Sequence, residues 1–94
     1  MRELNFNVQF KDLSGDVVSK DSVGDIFAGM IVSGSDTKNP LKLYEIAETM
    51  KKGLSLKLDS SDFNLLREFV KSNQQMTILT KGHILKIMEE AKDI

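Results

Sequence analysis

The stretch LNFNVQF (residues 4–10) alternates strictly between apolar and amide side chains. This is the period of a β-strand with one buried face and one face open to solvent. The next six residues, KDLSGD (11–16), are rich in turn formers, and the β-branched Val17 and Val18 follow. The pattern therefore predicts a hairpin between residues 4–10 and residues 16–20. Because an isolated hairpin is marginally stable, its apolar face needs a further strand or a helix.

Apolar residues recur at helical spacing in four later segments, each opened by a capping residue. The predicted helices cover residues 23–33, 40–52, 60–72 and 78–92, and the alternating stretch LSLKL (54–58) predicts a third strand. Residues 76–80 fit a short strand or the start of the last helix, and we favour the helix. The sequence thus predicts a single α+β domain over residues 1–94. It has a three-stranded antiparallel sheet (the N-terminal hairpin plus a third strand) packed against about four helices.

Composition bounds the chemistry that the chain can carry. Its 94 residues suit one domain with a thin core. It has no cysteine and one histidine, which excludes disulfides and thiolate metal sites, so we predict no metal and no cofactor. We see no signal peptide and no apolar run long enough to span a membrane. We therefore expect a cytoplasmic location and no membrane partner.

No catalytic motif emerges from the residues. The single histidine, His83, lacks the companion side chains of a metal or catalytic site and is typical of a helix surface or a half-buried position. The stretch GSD (34–36) is typical of a loop, and the glycines of SVGDIFAG (22–29) lack the spacing of phosphate-binding loops. We therefore predict a non-enzymatic protein with no catalytic residue and no small-molecule substrate.

The amides of the first strand are the leading candidates for a binding surface. Asn5, Asn7 and Gln9 form a neutral polar face on a strand that contributes an edge to a small sheet, and sheet edges can accept a partner strand. The alternative is an ordinary solvated face. The sequence predicts that a protein partner, or a second copy of the chain, binds at this hairpin edge. Met76 is the candidate for an exposed, adaptable methionine.

A second possibility is nucleic-acid binding through positively charged helix faces. Arg67 and Lys71 lie one turn apart on the third predicted helix, and Lys81 and Lys86 lie on the fourth. However, 13 Lys and Arg are balanced by 14 Asp and Glu, for a net charge of −1, and the signs are interspersed. Because phosphate binding usually needs a concentrated positive field, nucleic acid is the weaker alternative.

Three stretches together carry a family resemblance. ELNFNVQFKDLSGDVV (3–18), NPLKLYEIAETMKKGLSLKLDSSDFNLLREFV (39–70) and TILTKGHILKIM (77–88) resemble small proteins encoded by phages and prophages. The resemblance implies an accessory protein that acts by binding, and it assigns no binding or catalytic residue. A phage morphogenesis factor of the tail-assembly chaperone type is a further alternative that it implies.

Overall fold

A computed structural model describes residues 1–34 and 39–94 of the chain. Within these residues the fold is α+β, as the sequence predicts, with four helices and a three-stranded antiparallel sheet. Part of the GSD stretch (34–36), which the sequence assigns to a loop, lies outside the described residues. In chain order the elements are β1 (Arg2–Leu4), β2 (Gln9–Lys11), β3 (Val17–Ser22), α1 (Val23–Ser33), α2 (Pro40–Lys51), β4 (Leu56–Leu58), α3 (Ser60–Ser72), α4 (Ile78–Glu89) and β5 (Lys92–Asp93).

The first predicted strand is in fact two strands that belong to different sheets. β1 is the central strand of the order β4-β1-β5 and pairs antiparallel with both neighbours. β2 pairs antiparallel with β3 in a separate two-stranded sheet. The predicted hairpin therefore joins only β2 and β3, and the predicted third strand pairs with β1 instead. We call residues 5–8, which connect the two sheets, the crossing segment.

The crossing segment bends because it caps α1. The N–H of Gly24 donates to the Phe6 carbonyl at 2.8 Å, and the N–H of Val23 donates to the Val8 carbonyl at 2.9 Å. These N–H groups belong to the first turn of a helix, where no intrahelical acceptor is available. Asn5 Oδ1 also accepts from the N–H of Asn7 at 2.7 Å, which closes a local turn. As a result Val8 is exposed, whereas the other apolar residues of the stretch are buried.

Gly24 provides a matched test of this contact. A Cβ atom at Gly24 would lie 3.2 Å from the Phe6 carbonyl oxygen, whereas one at Gly29, on the same helix, would meet no atom within 4 Å. We expect Gly24→Ala to destabilise the fold by about 1–3 kcal/mol through overpacking. Gly29→Ala should stabilise it by up to about 1 kcal/mol through helix propensity. Urea unfolding measures both free energies, and shifts of the same sign would contradict the close approach at Gly24.

Side-chain caps fix the start of every described helix. The caps accept the N–H three residues on, at 3.1 Å for Ser22, 3.4 Å for Asn39, 2.8 Å for Asp59 and 3.2 Å for Thr77. These starts were predictable because each cap is a contact within one turn of the chain. The predicted end of the last helix at residue 92 is wrong. α4 ends at Glu89, and Lys92–Asp93 instead pairs with β1 as β5.

The core lies where the helices cover the two sheets and the crossing segment. Phe6 and Phe27 meet edge to face at a centroid distance of 5.3 Å, and Phe27 lies 6.4 Å from the ring of Phe69. Met76 is buried, so its predicted exposure is wrong. The reason is local, because Asn73 Oδ1 accepts the N–H of Met76 at 3.0 Å and turns the chain inward before α4.

Candidate functional site

The three predicted amides are exposed, but they do not share one strand edge. Asn5 donates from Nδ2 to Ser55 Oγ at 3.2 Å, just before β4. Asn7 belongs to the crossing segment, and Gln9 lies in β2 opposite Ser22. The amides therefore follow a bent backbone, with Asn5 engaged by the three-stranded sheet and Gln9 by the two-stranded one.

The free edge of the hairpin is β3, and this edge is bulged. The far side of β2 faces α4, where His83 Nε2 donates to the Lys11 carbonyl at 2.6 Å. Two paired positions define the register, Lys11 with Val17 and Gln9 with Ser22. From one pair to the next the chain moves two residues along β2 but five along β3, so β3 has three residues more than β2 over this stretch. A bulge of this kind interrupts the regular row of N–H and C=O groups that an added strand would need. The hairpin edge is therefore a poor template for a partner strand.

A groove between α1 and α2 is a more developed surface. Two adjoining clefts of about 410 and 440 Å³ run along the two helices, and Val32 lines both. We call this surface the α1–α2 groove and define it by the residues of α1 and α2 that line it. They are Asp25, Ala28, Gly29, Ile31 and Val32 on α1, and Pro40, Leu41, Leu43, Tyr44, Ala47, Glu48 and Lys51 on α2.

One end of the α1–α2 groove is apolar and open. Val32 is 56% exposed, Leu41 68% and Tyr44 53%, and all three side chains line the same cleft. A single exposed apolar side chain is ordinary on a protein surface. Three of them around one concave site are typical of a surface that another molecule covers.

The rest of the α1–α2 groove combines a shallow floor with an ionic end. Ala28, Gly29 and Ala47 provide small side chains in the middle, so a partner backbone can approach closely. At the far end Lys51 Nζ lies 3.4 Å from Asp25 Oδ1. Because α1 rises about 1.5 Å per residue, the seven-residue span from Asp25 to Val32 corresponds to about 10 Å, or two helical turns.

The α1–α2 groove could not be predicted from helical spacing, although the sequence carries one signal of it. The apolar stripe of α2 (Leu43, Ile46, Ala47 and Met50) is buried as predicted. Val32, Leu41 and Tyr44 are apolar or aromatic residues outside the apolar stripes, at the end of the first predicted helix and the start of the second. Their convergence depends on how α1 packs against α2, which helical spacing alone does not determine.

Of the four predicted basic residues, three come together. Arg67 and Lys71 line a small cleft between α3 and α4, together with Arg2 and Glu89. Lys81 Nζ donates to the Lys71 carbonyl at 3.5 Å, which brings a third cation to the end of α3. Lys86 does not line this cleft.

An ion pair links the first turns of α2 and α3. Lys42 Nζ lies 3.1 Å from Asp62 Oδ2, and this hydrogen bond, together with the charge attraction, raises the pKa of Lys42 above its ordinary value. Because the pKa of Lys42 is higher in the folded chain, the ion pair contributes its full stability at pH values below the unfolded pKa of about 10.4. That contribution is lost as the pH rises through the folded value.

We expect Lys42→Met to lower the urea midpoint slightly at neutral pH, because exposed ion pairs contribute little. The difference from the wild type should shrink once the pH exceeds the raised pKa of Lys42. Urea titrations at neutral and strongly alkaline pH measure this difference. A gap that widens with pH would contradict the assignment.

The described residues contain neither a cluster of metal ligands nor a membrane-spanning helix. Within residues 1–34 and 39–94, no three His, Asp or Glu side chains are grouped as metal ligands. In the same residues no helix has the length and apolar character needed to cross a membrane. Comparison of the chain with protein-family models, curated proteins and solved structures finds no match.

Proposed function

We propose that this chain is a non-enzymatic protein-binding domain and that the α1–α2 groove is its binding surface. The observation that carries the proposal is the cluster of Val32, Leu41 and Tyr44, each more than half exposed around one cleft. A role as a phage or prophage accessory protein belongs to the same proposal and is supported by the resemblance alone.

The shape of the α1–α2 groove favours an amphipathic helix as the bound element. Such helices place apolar anchors one and two turns apart, and the groove offers about two turns of length. One anchor would fill the apolar cleft beside Tyr44, and the small floor at Ala28 and Gly29 would accept the backbone of the next turn. Tyrosine is also among the residues that dominate binding energy at protein interfaces.

The experiment compares two valines of similar exposure. Val32 is 56% exposed in the groove, and Val17 is 51% exposed on the free hairpin edge. Val32→Asp should strongly weaken association, whether with a second copy in light scattering or with a protein retained by the immobilised chain. Val17→Asp should leave it intact. If Val17→Asp alone removes association, the hairpin edge is the binding surface and the proposal fails.

A second candidate function is nucleic-acid binding through the cations of α3 and α4. The contact of Lys81 with the Lys71 carbonyl favours it, because it gathers positive charge that the sequence left dispersed. Phosphate contacts make affinity fall steeply between about 50 and 200 mM salt. Affinity for a partner bound in the apolar groove should change little over this range.

A phage morphogenesis factor is a narrower form of the protein-binding proposal. The identity of the neighbouring genes would distinguish it from other binding roles.

A further inference from the structure

Three cations lie along the side of α3 that packs against α4, and we call Arg67, Lys71 and Lys81 the basic strip. Arg67 and Lys71 are four residues apart on α3, so their Cα atoms are about 6 Å apart along the helix axis. Like charges at this spacing repel one another. Lys81 reaches from α4 to the Lys71 carbonyl and adds a third positive charge at the same end.

The basic strip is not neutralised by ion pairs within the described residues. The ion pairs formed there join Arg2 to Asp93, Lys42 to Asp62 and Lys51 to Asp25, and none involves the strip. Arg2 shares the cleft with Arg67 and Lys71, but it is held over the Phe63 ring at 4.5 Å and near Asp93. Glu89 is the one carboxylate that lines this cleft. The strip therefore concentrates positive charge on a chain whose net charge is −1.

We infer that the basic strip binds the carboxylates of an acidic segment in a protein partner. A guanidinium and two ammonium groups can each donate charge-assisted hydrogen bonds to carboxylates, and Arg67 can do so with two parallel bonds. The inference shares with the proposed function the assumption that the partner is a protein. It does not depend on the α1–α2 groove, because the strip is a different surface.

The charge balance favours a short acidic segment over nucleic acid. The positive field of the basic strip decays within a Debye length of about 8–10 Å at moderate salt. A long polyanion would also lie over the carboxylates that flank the strip, such as Glu68 and Glu89, and would be repelled by them. A short acidic peptide needs contacts only with the strip itself.

The test uses the full chain and two labelled probes, a peptide of about six glutamates and an oligothymidylate of about 20 nucleotides, long enough to reach the flanking carboxylates, at about 50 mM salt. The triple variant Arg67→Gln, Lys71→Gln, Lys81→Gln removes the basic strip. The matched control Lys11→Gln, Lys20→Gln, Lys57→Gln removes the same charge from three exposed positions. Circular dichroism checks that both variants fold.

We expect the chain to bind the peptide more tightly than the oligothymidylate. The strip variant should bind the peptide at least tenfold more weakly, and the control within about twofold of the wild type. Equal losses in both variants, tighter binding of the oligothymidylate, or no peptide binding by the wild type would each overturn the inference. Val32→Asp should leave peptide binding unchanged. A failure of the groove proposal would therefore appear separately, as association that survives Val32→Asp.

Discussion

Phe6→Ala is expected to destabilise the fold by about 3–5 kcal/mol, the usual cost of removing a buried phenylalanine ring. Phe6 is 1% exposed and packs edge to face against Phe27 at 5.3 Å. Its carbonyl also accepts the N–H of Gly24, so the residue fixes the crossing segment against α1. A domain of this length is typically stable by about 5–15 kcal/mol, so the loss is a large share of the total.

Urea unfolding of the variant, followed by circular dichroism, measures this free energy. Leu13→Ala is the control, because Leu13 is 99% exposed and its removal should change the free energy of unfolding by less than about 0.5 kcal/mol. A loss below about 1.5 kcal/mol for Phe6→Ala would mean that the crossing segment is not part of the core.

Val32→Asp is expected to weaken association of the chain with its partner by at least about 30-fold, equivalent to about 2 kcal/mol or more. The physical reason is that a docked helix would bury the new carboxylate in the apolar cleft lined by Leu41 and Tyr44. Because Val32 is more than half exposed in the free chain, the fold itself should lose little stability.

Isothermal titration with the partner, or concentration-dependent light scattering for a second copy, measures this change. Tyr44→Ala provides an independent variant at the same cleft and should reduce affinity by a similar factor. Val17→Asp introduces the same charge on the hairpin and should stay within about twofold of the wild type. Equal effects at Val17 and Val32 would indicate a general charge effect rather than a specific groove.

The parts of the fold that were predicted correctly depend on contacts close in the chain. The caps at Ser22, Asn39, Asp59 and Thr77 each bond three residues ahead, and residue types alone indicate them. The alternation in residues 4–10 correctly indicated β structure for its two ends. It could not reveal the bend at the crossing segment, because the bend depends on hydrogen bonds to α1 that are made 15 or more residues away.

In the candidate sites, too, contacts between residues close in the chain were predictable and contacts that depend on helix packing were not. Arg67 and Lys71 are neighbours on one helix, so the sequence predicted their proximity. The approach of Lys81 depends on the placement of α4 and could not be predicted. The α1–α2 groove likewise exists only once two helices have packed together, although the apolar residues outside the predicted stripes offered a hint. The strand β5 was missed because its two residues acquire extended structure by pairing with β1.

Site-specific photo-crosslinking in cells that express the chain tests protein binding at the α1–α2 groove most directly. A benzophenone amino acid replaces Leu41 in the α1–α2 groove, or Asn64 on the exposed side of α3 as a control. We expect a discrete protein adduct from position 41 that disappears when Val32→Asp is added, and no such adduct from position 64. No adduct at position 41, or an adduct there that survives Val32→Asp, would contradict protein binding at the groove.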